Sequence, residues 1–269
     1  MSAIGILAKS RPPDPFEAPG LEIFDAPCFT EFDAIGIHFC INRVTVYIFL
    51  AALLVIGFFV YAAAKAKAVG RPRGARNLAE SVVEFVRNQI AIEVIGPEGR
   101  AWVPLLTAMF SFIMIGNIFG IIPGIQYPIN SRMALPAFLA ILSWMLFIGA
   151  GLKAQGFRFF TGAIFPPGVP KAMYILVTPI EFISTFLVRP LTLSVRLLAN
   201  MMAGHLVLAI FFLGTAYLFG KPSTWAFAIP SFALATALIA FEILVAVLQA
   251  YIFTILTAVY IAGAIHPEH

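Results

Sequence analysis

The chain has 269 residues, 61% of them hydrophobic and 11% charged, and its 17 basic and 13 acidic side chains leave a net charge of +4. A mean hydropathy of +0.96 lies well outside soluble composition, so most of the chain meets lipid rather than water. The basic residues gather at the ends of apolar runs, where membrane topology accounts for them, and no nucleic-acid partner is expected.

Residues 1–43 are rich in Pro, Phe and acidic side chains and read as an irregular arm before the first run able to cross a bilayer. The opening MSAIGILAKSRPPDPFEAPG lacks the basic start, apolar stretch and cleavage site of a secretory signal, so insertion is expected to begin with the first span. Cys28 and Cys40 show no metal-ligand pattern and are expected to be packing thiols, with a disulfide as the alternative in an oxidising space.

Residues 44–64, VTVYIFLAALLVIGFFVYAAA, form that first span. Lys65, Lys67, Arg71, Arg73 and Arg76 follow at once, which places this end in the cytoplasm and the arm outside. Over residues 77–95, Leu78, Val82, Phe85, Val86 and Ile90 recur at helical spacing opposite Glu80, Ser81, Glu84, Arg87 and Asn88. This predicts an amphipathic helix on the membrane surface, either bracing a partner or docked on the protein's own bundle, with Asn77 and Glu80 as its start.

Residues 102–152 read as a transmembrane hairpin turned by PGIQYPINSR. Gly116 and Gly120 make a GxxxG pair suited to close helix packing, and Asn117 between them is a polar group that needs a partner or water at that depth. Lys153, Arg158 and Lys171 mark the return to the cytoplasm. Residues 172–264 then form two apolar segments of 40 residues or more. At 1.5 Å per residue each is about 60 to 70 Å long, about twice the hydrocarbon thickness of about 30 Å. Each segment therefore breaks at Pro179, Pro190 or Pro230 or lies steeply inclined; the expected form is a long tilted hairpin turning outside near Gly220, Lys221 and Pro222. Residues 265–269 are a solvated cytoplasmic tail, and His266, Glu268 and His269 are not read as a metal site. The fold class is thus all-α integral membrane, with about five membrane-embedded helices and one surface helix.

Arg196, Asn200 and His205 stand in PLTLSVRLLANMMAGHLVL, and Glu242 and Gln249 share one helical face in FEILVAVLQAYIFTILTAVY. Burying an arginine at such a depth costs roughly 2.5 to 3.5 kcal/mol on insertion scales, so it faces water, a counter-charge or a function. Arg196 cannot deprotonate and suits a fixed electrostatic gate. Glu242 and His205 can exchange protons with water near neutral pH, while Asn200 and Gln249 can order water without titrating.

RLLANMMAGHL followed by FEILVAVLQAYIFTILTAVYI resembles the C-terminal signature of subunit a of F-type ATP synthases, over roughly the last third of the chain. The resemblance implies a non-catalytic, proton-conducting stator subunit of a bacterial plasma membrane, without a cofactor. Its partners would be the c-ring and the peripheral-stalk b-type subunits. Arg196 would face the c-ring carboxylate, with Asn200 and Gln249 at the family's Asn and Gln positions. His205 and Glu242 would take the acid and histidine positions, with the histidine first. PIEFIS resembles the family's PxELIS stretch and implies Glu181 near a cytoplasmic outlet, one residue further from Arg196 than the family's pattern places it. Two offset aqueous half-channels would then be joined only by c-ring rotation, the outer one passing Asn117, His205, Glu242 and Gln249. Ala199 with Ala203, and Ala246 with Ala250, suit either close approach of the rotor or ordinary helix packing.

Two other readings compete. A proton-coupled secondary transporter also needs intramembrane Arg, Glu and His, but predicts inverted repeats that this chain does not display. A non-conducting structural subunit predicts an Arg196–Glu242 packing pair that tolerates joint apolar replacement. No phosphate loop, metal-ligand spacing or nucleophile motif argues for soluble enzyme chemistry.

Overall fold

The computed structural model describes residues 19–24, 28–34, 37–66, 74–122, 127–164 and 173–266. Lys67, Arg71, Arg73, Lys171, Glu268, His269 and the first part of the arm lie outside these residues.

The arm differs from the irregular segment expected. Cys28–Ala34 (β1) and Ile37–Asn42 (β2) pair as an antiparallel hairpin, with Glu31 opposite Cys40 and an irregularity between Cys28 and Thr30. Cys28 and Cys40 form a disulfide with their Cα atoms 5.5 Å apart, which corrects the reading of two packing thiols. Antiparallel pairing folds the chain back on itself and brings the two residues within bridging distance. A lone two-stranded hairpin is marginal in water, and the cross-link restrains its open state.

Asn42 ends β2 and caps the first helix: its Oδ1 accepts the Thr45 N–H at 3.0 Å and the Thr45 hydroxyl at 3.1 Å. That helix is Arg43–Ala66 (α1). The surface helix Ala75–Val86 (α2) begins two residues before the expected Asn77, after Gly74 at φ 62°, and continues as a π-helical stretch, Arg87–Ile95. Its buried face runs through Ala79, Val86, Ile90, Ala91 and Ile95, so Leu78, expected on the apolar stripe, points outward at 58% exposure.

A 3-10 turn, Pro97–Trp102, leads into Val103–Ile121 (α3), and a second, Ile129–Ser131, precedes Ala134–Gln155 (α4). A short helix, Arg158–Ile164 (α5), occupies part of the stretch read as loop. Tyr174–Ile183 (α6), the π-helical turn Ser184–Val188 and Arg189–Phe219 (α7) follow without interruption, and Trp225–Ile265 (α8) follows the turn Pro222–Thr224. Pro179 and Pro230 sit inside α6 and α8 without breaking them. Pro190 has no N–H to offer the Phe186 carbonyl, and the widened turn lies immediately before it.

Among the described residues, five helical segments are long and apolar enough to cross a membrane, and the last two run to 46 and 44 residues. The chain is a helical, multi-pass membrane protein. Its Cα trace separates into two compact units, one of residues 1–55, 112–132 and 198–249, the other of residues 56–111, 133–197 and 250–269. In the first unit α7 and α8 pack antiparallel, since partners rise along one helix as they fall along the other: Asn200 with Gln249, His205 with Glu242, Thr215 with Ser231. The arm is tied into this unit by the Tyr127 hydroxyl and the Arg132 guanidinium, both donating to the Phe24 carbonyl. In the second unit α4 packs on α8 through Ser143–Thr257, 2.9 Å apart, and through Gln155 Nε2 donating to the Ala264 carbonyl at 2.6 Å.

Candidate functional site

Small residues make the site possible. A side chain on Gly120 of α3 would overlap the His205 ring, and a Cβ on Gly204 would lie 2.6 Å from Glu242 Oε1. Gly116 receives the Ile129 side chain in the same way. The GxxxG pair therefore makes room for side chains of a turn and of α7, beyond the helix packing that its spacing suggested.

Polar groups of three helices and one turn pair with one another in this unit. His205 Nδ1 lies 2.9 Å from Glu242 Oε1 and 3.1 Å from the Met201 carbonyl. Asn200 Nδ2 donates to Gln249 Oε1 at 2.7 Å. Asn117 Nδ2 donates to the Ala246 carbonyl at 3.2 Å, and Asn130 Nδ2 donates to Asn117 Oδ1 at 2.6 Å. Five of the residues predicted from sequence, Asn117, Asn200, His205, Glu242 and Gln249, thus belong to the first unit, paired as just described. Asn117, Glu242 and Gln249 are buried, and Asn130, which sequence reasoning passed over as a turn residue, is buried with them. Among the described residues, Glu242 Oε2, Gln249 Nε2 and Asn130 Oδ1 are buried without a hydrogen-bond partner. Buried polar atoms rarely stay unpaired, and such a set suits water or a transferred proton.

Arg196 and Glu181 belong to the second unit. Arg196 is exposed, and among the described residues it makes no hydrogen bond or ion pair. Thr192, Ala199, Asn200 and Ala203 are exposed with it, at the three- and four-residue intervals of one helical face. Ala246 and Ala250 are fully buried, so on α8 the small residues serve packing within the chain. Glu181 is half-buried on α6. A π turn takes up one residue more than an α turn, and Ser184–Val188 lies between Glu181 and Arg196, offsetting the extra residue in their spacing. Sequence reasoning also missed Arg189, whose guanidinium stands 5.5 Å from the Phe147 ring centre and 5.3 Å from that of Tyr260.

Long apolar helices that hold a buried cluster of amides, histidine and carboxylate define a multi-pass membrane protein with polar groups at the depth of its spans. A sequence model of the family described as ATP synthase A chain matches residues 45–262. The chain belongs to that family. It is 44% identical to ATP synthase subunit a of Frankia alni over 94% of this chain and 88% of the relative. It is 40% identical to subunit a of Rhodococcus erythropolis over 95% and 92%, and 35% identical to that of a Nocardioides species over the whole of both.

Proposed function

We propose that this chain is the proton-translocating stator subunit a of a bacterial F-type ATP synthase, without an ATP-hydrolysing site of its own. Protons enter from outside through an aqueous half-channel past Asn117, His205, Glu242 and Gln249 and neutralise a carboxylate of the rotating c-ring, which then turns into lipid. After nearly a full turn the carboxylate meets a second half-channel near Glu181 and releases its proton to the cytoplasm. Arg196 stands between the two paths, favours the ionised carboxylate and blocks direct leak. Each charge moved supplies about 2.3 kcal/mol per 100 mV, so a leak dissipates the drive for synthesis.

The observation that carries this reading is the contrast between an exposed, unpaired Arg196 on a face of small and polar residues and a buried His205–Glu242 contact. A membrane-embedded charge with no partner among the described residues calls for one from another chain, and the c-ring carboxylate fits. Length supports the inclination of the last two segments, since about 60 to 70 Å of helix cannot stand upright in about 30 Å of hydrocarbon. The arm lies outside and the C-terminus in the cytoplasm; the disulfide supports that sidedness, because such bridges persist in oxidising compartments. The exposed side of α2, including Leu78, is assigned to the b-type subunits and the lipid surface.

The test is ATP-driven proton pumping and passive proton leak in vesicles carrying the whole complex, with Arg196→Ala against the unmodified protein. Lost pumping with retained or raised leak is expected. Unchanged pumping would overturn the gate.

A further inference from the structure

We propose that Asn130 is a further positioning residue of the proton inlet: it holds the Asn117 amide against α8 and presents its own carbonyl oxygen as the acceptor that meets incoming water. This rests on the inlet role proposed above for Asn117, His205 and Glu242.

The polarity of the amide chain follows from its inner end. The Ala246 carbonyl can only accept, so Asn117 must turn its Nδ2 toward it, at 3.2 Å. Asn117 Oδ1 then faces Asn130, which must donate through Nδ2, at 2.6 Å. Both amides are thereby fixed, and the chain ends in Asn130 Oδ1, buried and without a partner among the described residues. The residue is 1% exposed, so neither a flipped amide nor a swung side chain resolves the orphan without breaking the bond to Asn117.

The turn that carries Asn130 is held on both sides. Ile129 fills the space that Gly116 leaves open, and the Ser131 hydroxyl donates to the Pro128 carbonyl at 2.8 Å. The Tyr127 hydroxyl and Arg132 tie the flanks of the turn to the Phe24 carbonyl. An acceptor kept in place at such cost fits a small donor, water or hydronium, and a chain that ends in an oxygen favours the positive end of its ligand. Asn130 does not titrate; protons pass along the water that it orients.

Asn130→Asp tests this, because the side chain keeps its shape. A protonated Asp can donate to Asn117 Oδ1, whereas the carboxylate cannot and repels it. Among the described residues of the first unit, the charged or titratable groups on this turn and on the helices are Tyr127 and Arg132 in the turn itself, Arg43 and Tyr47 on α1, His205 and Tyr217 on α7 and Glu242 on α8; α3 carries none. Burial at this 1% exposed position disfavours the carboxylate and raises the introduced carboxyl well above its usual range. Pumping by vesicles of the whole complex, taken relative to unmodified complex at each pH, is therefore expected to be near normal at about pH 6 and to fall about tenfold by about pH 9, reversibly in one preparation. A loss that does not vary with pH marks a structural role only and overturns the proposal, as does a profile identical to the unmodified complex. Arg196→Ala, run alongside, separates the two levels: if that variant pumps, the inlet reading itself falls. If it does not pump while Asn130→Asp follows the unmodified profile, only the role of Asn130 falls.

Discussion

Arg196 and His205 stand nine residues apart on α7 and are treated in opposite ways. Arg196 is exposed and, among the described residues, unpaired, whereas His205 is folded inward against Glu242 and the Met201 carbonyl. On the proposed function, Arg196 is a fixed charge that acts on another molecule, and such a charge gains nothing from a partner in its own chain. A group that exchanges protons must instead be held at a defined distance from its neighbour and shielded from bulk water, because both determine its affinity for a proton. The comparison therefore predicts that function and stability separate at Arg196 and travel together at the buried pair.

The largest effect is expected at the exposed position. Arg196→Gln should abolish ATP-driven pumping in vesicles, while the thermal unfolding midpoint of the isolated subunit stays almost unchanged, as suits a substitution on a face exposed in the single chain and worth within about 0.5 kcal/mol. A variant that lowers stability as much as pumping breaks the comparison, for it means that Arg196 is a structural partner.

Next in size come Glu242→Leu and His205→Leu. Each leaves one buried polar group without its neighbour, at about 1 to 3 kcal/mol of stability, and each should lower pumping at least about tenfold with a parallel fall in the midpoint. Because the two side chains touch, the double replacement should cost less than the two single costs added together. Full additivity in a double-mutant cycle argues that the pair acts as two separate sites.

A smaller effect sharpens the same point through packing. Gly120→Ala should lower pumping several-fold by displacing the His205 ring, whereas Gly149→Ala on α4, where an added Cβ meets nothing within 4 Å, should be neutral or mildly stabilising. Equal outcomes for the two glycines, measured as pumping per assembled complex, would remove Gly120 from the site.

What sequence made legible follows from the solvent. Lipid demands long uninterrupted apolar runs, so the five spans announce themselves by length, and polar residues within them stand out because they are costly. Asn117, Asn200, His205, Glu242 and Gln249 were visible for that reason. Asn130 was not, because an asparagine two residues after a proline in a turn is ordinary, and only the approach of α3 and α8 turns it into a buried donor. Spacing marks which residues share a face but not which way the face looks. Ala199 and Ala203 therefore read like Ala246 and Ala250, though the first pair is exposed and the second buried. The π turn at Ser184–Val188 left one trace, the extra residue between Glu181 and Arg196, and its cause, the missing N–H of Pro190, was open to reading.

The smallest effect on pumping is expected in the arm, where the disulfide lies in a hairpin outside the spans. Cys40→Ser opens a cross-link between residues 12 apart, and loops of about that length lose roughly 3 kcal/mol of restraint in the chain-entropy account. The loss should appear as faster proteolysis of the arm, with pumping reduced less than about twofold, since the hairpin holds none of the residues proposed to handle protons. The same variant frees Cys28, an exposed residue. A membrane-impermeant maleimide added outside intact cells should label it, while inverted vesicles with the reagent outside should leave it unlabelled. Labelling only in inverted vesicles would reverse the topology, and with it the assignment of the buried pair to the inlet and Glu181 to the outlet. Its effect on activity is slight, yet it decides which way the comparison between the two faces of α7 is read.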